Sequence, residues 1–249
     1  MNRRFLLRAA GAAALLSASV PVRAQGKGKI LIVSTSHADA LNGRKTGLWL
    51  SELTEPYWVF RDAGHAVDIA SIQGGTPPID PRSGSERAVP AGLRNDAAAI
   101  RAFNESVCVD CINPGPYVGV FLAGGHGALW DYPKSDSLRA LLEAAARERK
   151  PIGAVCHGPA GLLGVLADGK PWVAGRRLTS FTDEEEERAG WTAHIPYSLE
   201  TRLKAEGAGF QSAGAYRRHV VRDGLLITGQ NPASAEASAR AMLETLRQA

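Results

Sequence analysis

The chain has 249 residues, 45% of them hydrophobic, and carries 29 Lys and Arg against 25 Asp and Glu. Four of the basic residues, Arg3, Arg4, Arg8 and Arg23, lie in the first 25 positions, which hold no acid; the remainder balances at 25 against 25, and the inference from a basic chain to a nucleic-acid partner fails. Repeats, low-complexity tracts and heptads are absent from the sequence, which excludes solenoids and coiled coils and leaves one globular domain with a sizeable core.

Residues 1–25, MNRRFLLRAAGAAALLSASVPVRAQ, read as an export signal: a basic start, an apolar run from Ala9 to Val20, and a small-residue ending around Val22-Arg23-Ala24. The apolar run is about half of the roughly 20 residues that span a bilayer, so no retained membrane helix is expected. Arg3 and Arg4 followed by Phe5 and Leu6 resemble a twin-arginine signal, which implies export of an already folded protein to the periplasm or beyond. Residues 26–249 are then expected to form a single domain.

Short apolar runs alternate with helical patterns, the mark of an α/β protein with a mostly parallel sheet covered by helices. KILIVSTS (29–36) predicts a first buried strand, and residues 47–64 an amphipathic helix interrupted by Pro56 and ended by Gly64. HAVDIASI predicts the second strand. The polar, turn-rich residues 74–90 predict an irregular surface loop, long enough to be functional or mobile. A short helix over 96–105, a strand over 117–125 ending in two glycines, a helix over 135–149 and a strand over 151–156 follow. Beyond these come a small-residue helix, a strand-like RRLTSF (176–181), a helix from Thr182, the strand pair RRHVVRD and LLITG, and a last helix with Asn231 as its cap and Pro232 in its first turn.

Cys156 closes the strand at 151–156. In open α/β sheets ligands gather at the carboxyl ends of the strands, and a sharp strand-to-helix turn there presents one side chain to them. Ala154 and Gly158, two residues away on either side, permit such a turn, and a following helix N-terminus would favour the thiolate. Buried cysteines more often serve as small hydrophobes, but here His157 follows directly and Gly-Pro comes next, which points to a nucleophile with a base beside it.

The motifs AVCHGPAGLL, GGHGALWDYP, KTGLWLSEL, LTSFTDEEE and TGQNPASA, spread from Lys29 almost to the end, resemble the ThiJ/PfpI superfamily. The resemblance is closest to its branch of glutathione-independent glyoxalases (glyoxalase III) and chaperone-like stress proteins. It implies a three-layer α/β sandwich of the class I glutamine amidotransferase-like, flavodoxin-like kind. It further implies Cys156 as nucleophile, His157 as its triad histidine and Glu52, in the helix after the first strand, as a carboxylate facing the thiol. From spacing alone Glu52 reads rather as a solvated helix residue, and only the resemblance reverses this; near a thiolate it would donate or take a proton.

The third triad member falls within FTDEEEERAGW, where most of the acids must form a solvated face. Thr182 and Glu185 make a capping-box pattern, which gives Glu185 a structural role. The resemblance favours Glu186, counted five on from Phe181, with Asp183 as the alternative. It also implies an oxyanion site from the N–H groups of Gly125 and His157. His126 either lines the pocket or satisfies its own turn.

Cys108 and Cys111 form a CVDC pair that the resemblance does not cover. A disulfide, two free thiols and a weak metal site are all open. His37 reads as a surface-loop histidine, and the five tryptophans as packing residues. No nucleotide fingerprint occurs in a strand-to-helix context, so no nucleotide cofactor is expected, and the activity the resemblance implies is cofactor-free with no metal at its site. The implied activity is conversion of a small aldehyde such as methylglyoxal to a 2-hydroxy acid such as lactate. The alternatives are a chaperone-like holdase and a cysteine peptidase or amidase, and a homodimer is the expectation carried by the resemblance.

Overall fold

The computed structural model describes residues 27–248; the expected export signal at 1–25 lies outside them. In chain order the elements are β1 (Lys29–Ser34), α1 (Ser51–Asp62), β2 (Ala66–Ser71), α2 (Val89–Gly92), α3 (Ala97–Asn104), β3 (Val107–Cys108), β4 (Tyr117–Leu122), α4 (Ala128–Asp131), α5 (Asp136–Arg147) and β5 (Ile152–Val155). The second half adds β6 (Leu166–Ala167), β7 (Lys170–Pro171), β8 (Arg177–Leu178), α6 (Asp183–Ala189), α7 (Leu199–Ala205), β9 (Gly209–Phe210), β10 (Val220–Asp223), β11 (Leu226–Gly229) and α8 (Ala235–Gln248).

Seven strands form one sheet in the order β10-β11-β5-β4-β1-β2-β3, parallel throughout except for the β10–β11 pair. The strand period of two divides the core between the faces. Leu31, Val33, Val120 and Leu122 pack with α5 and α7 on one side. Ile30, Ile32 and Phe121 pack with α1, α3 and α8 on the other. The result is the expected three-layer α/β sandwich. Crossing the sheet, the strand order reverses beside β1, so the carboxyl ends of β1, β4 and β5 open onto the crevice where such folds place their chemistry.

Several local expectations need correction. Strand β1 stops at Ser34, because Thr35 Oγ1 and the Ser36 N–H turn away to the Asp131 carboxylate (2.8 and 2.7 Å). Helix α1 begins at Ser51 instead of Gly47: Leu48 is extended and pairs with Ile79, its N–H donating to Pro78 O (2.8 Å). Pro56 does not interrupt that helix. Its missing N–H costs only the bond to the Glu52 carbonyl, one turn from the helix start. RRLTSF forms a strand only at Arg177–Leu178, in a separate two-stranded sheet with β9.

The small-residue segment after Cys156 is a buried 3-10 helix over Gly158–Leu162, not an α-helix. A Cβ on Gly158 would run into Leu122 O, and close approach of backbone to β4 sets its geometry. Asn231 precedes a 3-10 turn at Pro232–Ser234, and its side chain makes no backbone cap bond; its amide donates instead to Glu185 Oε1 and Arg217 O (both 2.8 Å). β3, the hairpin β6–β7 and α7 lie outside the elements the sequence predicts; the strands are two residues long and carry no readable alternation. Cys108 and Cys111 flank a 3-10 turn as free thiols. No helix among the described residues is long and apolar enough to cross a membrane.

Candidate active site

The turn after β5 places Cys156 at φ +58°, in the left-handed region that side-chain-bearing residues rarely enter. Two backbone bonds hold it there: the Cys156 N–H donates to Gly229 O and the Phe181 N–H donates to Cys156 O, each at 2.9 Å. The residue is 2% exposed. Its Sγ lies 3.2 Å from His157 Nδ1, and His157 Nε2 lies 2.7 Å from Glu186 Oε1. Glu186 comes from α6, whose start is fixed by the capping box: Thr182 Oγ1 accepts from the Glu185 N–H (3.1 Å), and Glu185 Oε2 accepts from the Thr182 N–H (3.0 Å). Asp183, one turn away, faces outward and accepts from Ser198 Oγ (2.6 Å).

Glu52 sits in the first turn of α1, fully buried. Its Oε2 accepts from the Gly124 N–H (2.9 Å), its Oε1 has no hydrogen-bond partner among the described residues, and the carboxyl lies beside the Cys156 thiol. A Cβ on Gly124 would overlap that carboxylate. Gly125, at φ +97°, leaves no room for a Cβ against Gly47 O and directs its N–H at the Cys156 sulfur. Among the described residues no oxygen accepts from the N–H of Gly125 or of His157. Two backbone donors without an oxygen partner therefore stand beside the cysteine in chain and in space, His157 as its successor and Gly125 toward its sulfur, the kind of group that stabilises a developing oxyanion.

His126 is 3% exposed and stacks near His157, with ring centroids 4.0 Å apart. Its Nε2 is 2.9 Å from Glu186 Oε2, so one carboxylate serves two imidazoles, one on each oxygen. Sequence reasoning missed the groups behind it. Arg82 Nη2 lies 2.8 Å from His126 Nδ1, its guanidinium stands 3.7 Å over the Trp191 ring, and Asp80 binds it through both oxygens (2.9 and 2.6 Å). Trp191 thus packs against the site itself, its ring 4.2 Å from His126. The loop at 74–90 is functional in placement and partly helical, and the Asp-Pro-Arg run with its i to i+2 side-chain turn was the signal for it. His37 lies away from the thiol, stacked on Trp130 at 5.1 Å.

The electrostatics separate the two carboxylates. Burial raises the Glu52 carboxyl well above the usual range, and no cation opposes it, which favours the protonated form. Burial acts on Glu186 too, but the charge of His157 and the hydrogen bonds from both imidazoles outweigh it and bring the group to about 2. Burial, then the neighbouring His157, lowers His126 to about 4. Burial pushes the Cys156 thiol up; the further push from an ionised Glu52 is absent while that carboxyl stays protonated. The short 3-10 helix after Cys156 supplies little dipole to offset this, contrary to the sequence expectation of a helix N-terminus favouring the thiolate.

These directions give opposite stability effects. Glu186, lowered from 4.5 to about 2, contributes stability that is present above pH 4.5 and lost as pH falls through about 2; at neutral pH Glu186→Gln is expected to cost up to about 3 kcal/mol, a gap that closes on acidification. Glu52, raised, contributes stability that is lost as pH rises above 4.5. Glu52→Gln is therefore expected to gain on the wild type with rising pH. Urea unfolding of the three proteins from pH 2 to 8 checks both signs.

Ligand-type atoms of His126, His157 and Glu186 all lie within 4.8 Å of one another, the spacing of a metal-ligand set. Each Nε2, however, already donates to the carboxylate, and a guanidinium stands behind His126. The donor set is that of a proton network.

The profile of the DJ-1/PfpI family matches residues 44–245. A probable glutathione-independent glyoxalase of Schizosaccharomyces pombe is 33% identical over 241 residues, covering 82% of this chain and 92% of its own length. Among solved structures, the 24 kDa rapid encystment protein of Francisella tularensis superposes with a TM-score of 0.83 at 36% identity, covering 88% of this chain and 99% of its own. Glyoxalase III of Candida albicans superposes at 0.79 and 27% identity, covering 88% and 98%.

Proposed function

The chain belongs to the DJ-1/PfpI family, and on that footing we propose that it is a glutathione-independent glyoxalase, converting 2-oxoaldehydes such as methylglyoxal into 2-hydroxy acids such as lactate. The observation that carries this reading is a buried thiol with an imidazole on one side and a fully buried carboxyl on the other. The thiol that glutathione would bring is supplied by Cys156.

In the proposed sequence Sγ attacks the aldehyde carbon while its proton passes to His157 Nδ1 and Glu52 protonates the aldehyde oxygen, giving a hemithioacetal. The Glu52 carboxylate so formed removes the proton from that carbon, and the His157 imidazolium protonates the ketone oxygen. An enediol results. Glu52 then returns its proton to the second carbon as the first hydroxyl gives its own to His157, leaving a thioester. Water, deprotonated by Glu52, adds to the thioester; the tetrahedral adduct releases the acid, and His157 reprotonates the sulfur. The carbon from the aldehyde is oxidised and its neighbour reduced, so no external redox partner is required. The N–H groups of Gly125 and His157 would hold the oxygen on the attacked carbon, and Glu186 would orient the imidazole.

A thiol 2% exposed suits a small aldehyde and does not admit a polypeptide, which disfavours the peptidase reading. The large exposed apolar residues Leu41, Val107, Leu166 and Tyr216 sit on separate elements and do not favour a holdase. Export directed by residues 1–25 and assembly as a homodimer belong to the same proposal, with periplasmic fractionation and light scattering as their checks. The enzymatic reading is tested by lactate formation from methylglyoxal with no added thiol. Turnover that glutathione does not accelerate is expected; turnover seen only with glutathione would overturn it.

A further inference from the structure

His126 is confined between two groups of fixed hydrogen-bonding sense. On one side stands the Glu186 carboxylate, which only accepts; on the other stands Arg82, whose guanidinium only donates. The ring between them satisfies both in one form, with its proton on Nε2 and a lone pair on Nδ1. Protonating Nδ1 would set an imidazolium N–H against the guanidinium.

Arg82 is itself built in. Asp80, fully buried, accepts from the Arg82 backbone N–H (2.9 Å), from Nε and from Nη2, and also from Thr46 Oγ1 (3.0 Å). The Trp191 face covers the guanidinium plane. The loop carrying both residues is pinned at its ends, Asp80 N–H donating to Leu48 O (2.9 Å) and Ser83 Oγ accepting from the Leu50 N–H (3.1 Å). This is a rigid strut reaching His126 across 44 positions of sequence. The other groups facing the His126 ring are His157, Phe181 and Trp191.

We propose that Arg82 is a positioning residue for the reaction: it caps His126 Nδ1, keeps that ring neutral with its proton on Nε2, and thereby reserves the Glu186 charge for His157. Without the cap, His126 is free to become an imidazolium that competes with His157 for the same carboxylate, or to turn and leave Glu186 Oε2 without its donor. Arg82 touches neither the sulfur nor the reacting atoms. The role rests on the glyoxalase reading for its kinetic consequence but not for its structural one.

The test uses the full-length chain in two variants. Arg82→Lys retains a donor; Asp80→Asn combined with Arg82→Met removes the strut without stranding a buried carboxylate, which the single Arg82→Met would do. Imidazole nitrogen NMR of the wild type is expected to show His126 as the neutral ring with hydrogen on Nε2, and the double variant is expected to lose that signature while remaining folded. For methylglyoxal, kcat of the double variant is expected to fall about 10- to 100-fold with KM little changed, and Arg82→Lys to recover most of it. A wild-type His126 with hydrogen on Nδ1, or a folded double variant with an unaltered His126 signature, overturns the proposal. So does an unaltered kcat. If the wild type makes no lactate at all, the glyoxalase reading fails, and the NMR signature together with the alkylation rate of Cys156 by iodoacetamide, expected to slow in the double variant, still decides the role of Arg82.

Discussion

Cys156→Ala is expected to abolish glutathione-free turnover of methylglyoxal, lowering kcat/KM by at least about 10⁴-fold, because removing a nucleophile removes the covalent route and leaves only what binding and oxyanion donors supply. The fold is expected to tolerate the change. The Cβ stays, the backbone remains pinned through Gly229 and Phe181, and no hydrogen bond of the sheet passes through the sulfur. Cys108 and Cys111 offer no substitute, since they lie in β3 and at the end of the 3-10 turn that follows it, at the edge of the sheet, Cys108 Sγ lying 3.6 Å from Ile72 O. Serine in place of Cys156 is expected to behave nearly as alanine does, because its hydroxyl gives up its proton far less readily than a thiol. Steady-state kinetics beside circular dichroism separates loss of chemistry from loss of structure.

Glu52→Gln is expected to lower kcat by 10²- to 10⁴-fold, in the range a positioned acid–base group contributes. The amide preserves the shape of the site. Its oxygen accepts from the Gly124 N–H as Oε2 does, and its NH2 takes the place of the protonated Oε1 in the group beside the thiol. What it cannot do is carry a proton from one substrate carbon to the next. The variant is therefore expected to form the hemithioacetal, the aldehyde oxygen taking from the His157 imidazolium the proton that the thiol gave up, and to stop there, with KM little altered, while gaining stability on the wild type above pH 4.5. A loss of activity joined to a gain of stability is the mark of a buried group kept for chemistry. Alanine at the same position would confuse the two effects, since it opens a void and leaves the Gly124 N–H unpaired.

The parts of the site that the sequence makes legible are those tied to strand ends. Alternation in KILIVS and YVGVFL divides the core between the two faces, and small residues around Cys156 mark the sharp turn at the end of β5. Glu52 is different: its helical spacing also fits a solvated residue, and only the family resemblance singles it out. Burial in the structure comes from the extended Leu48–Ile79 pairing, which starts α1 late and turns its first residues inward. Arg82 and Asp80 are silent in sequence because an irregular loop has no periodicity to say where it docks. Their partner His126 lies beyond two helices and two strands, and the contact exists only once the sheet has formed. The 3-10 helix after Cys156 escaped for a related reason. Helix propensity does not register that Gly158 and Gly161 must lie against Leu122.

The central claim is a covalent bond between Cys156 and the aldehyde carbon of the substrate. Carbon NMR of Glu52→Gln saturated with methylglyoxal labelled at that carbon tests it most directly. The account predicts a bound signal of a hemithioacetal carbon that disappears in the Cys156→Ala, Glu52→Gln double variant. A spectrum holding only free aldehyde and its hydrate, or a bound signal that survives the loss of Cys156, would contradict it.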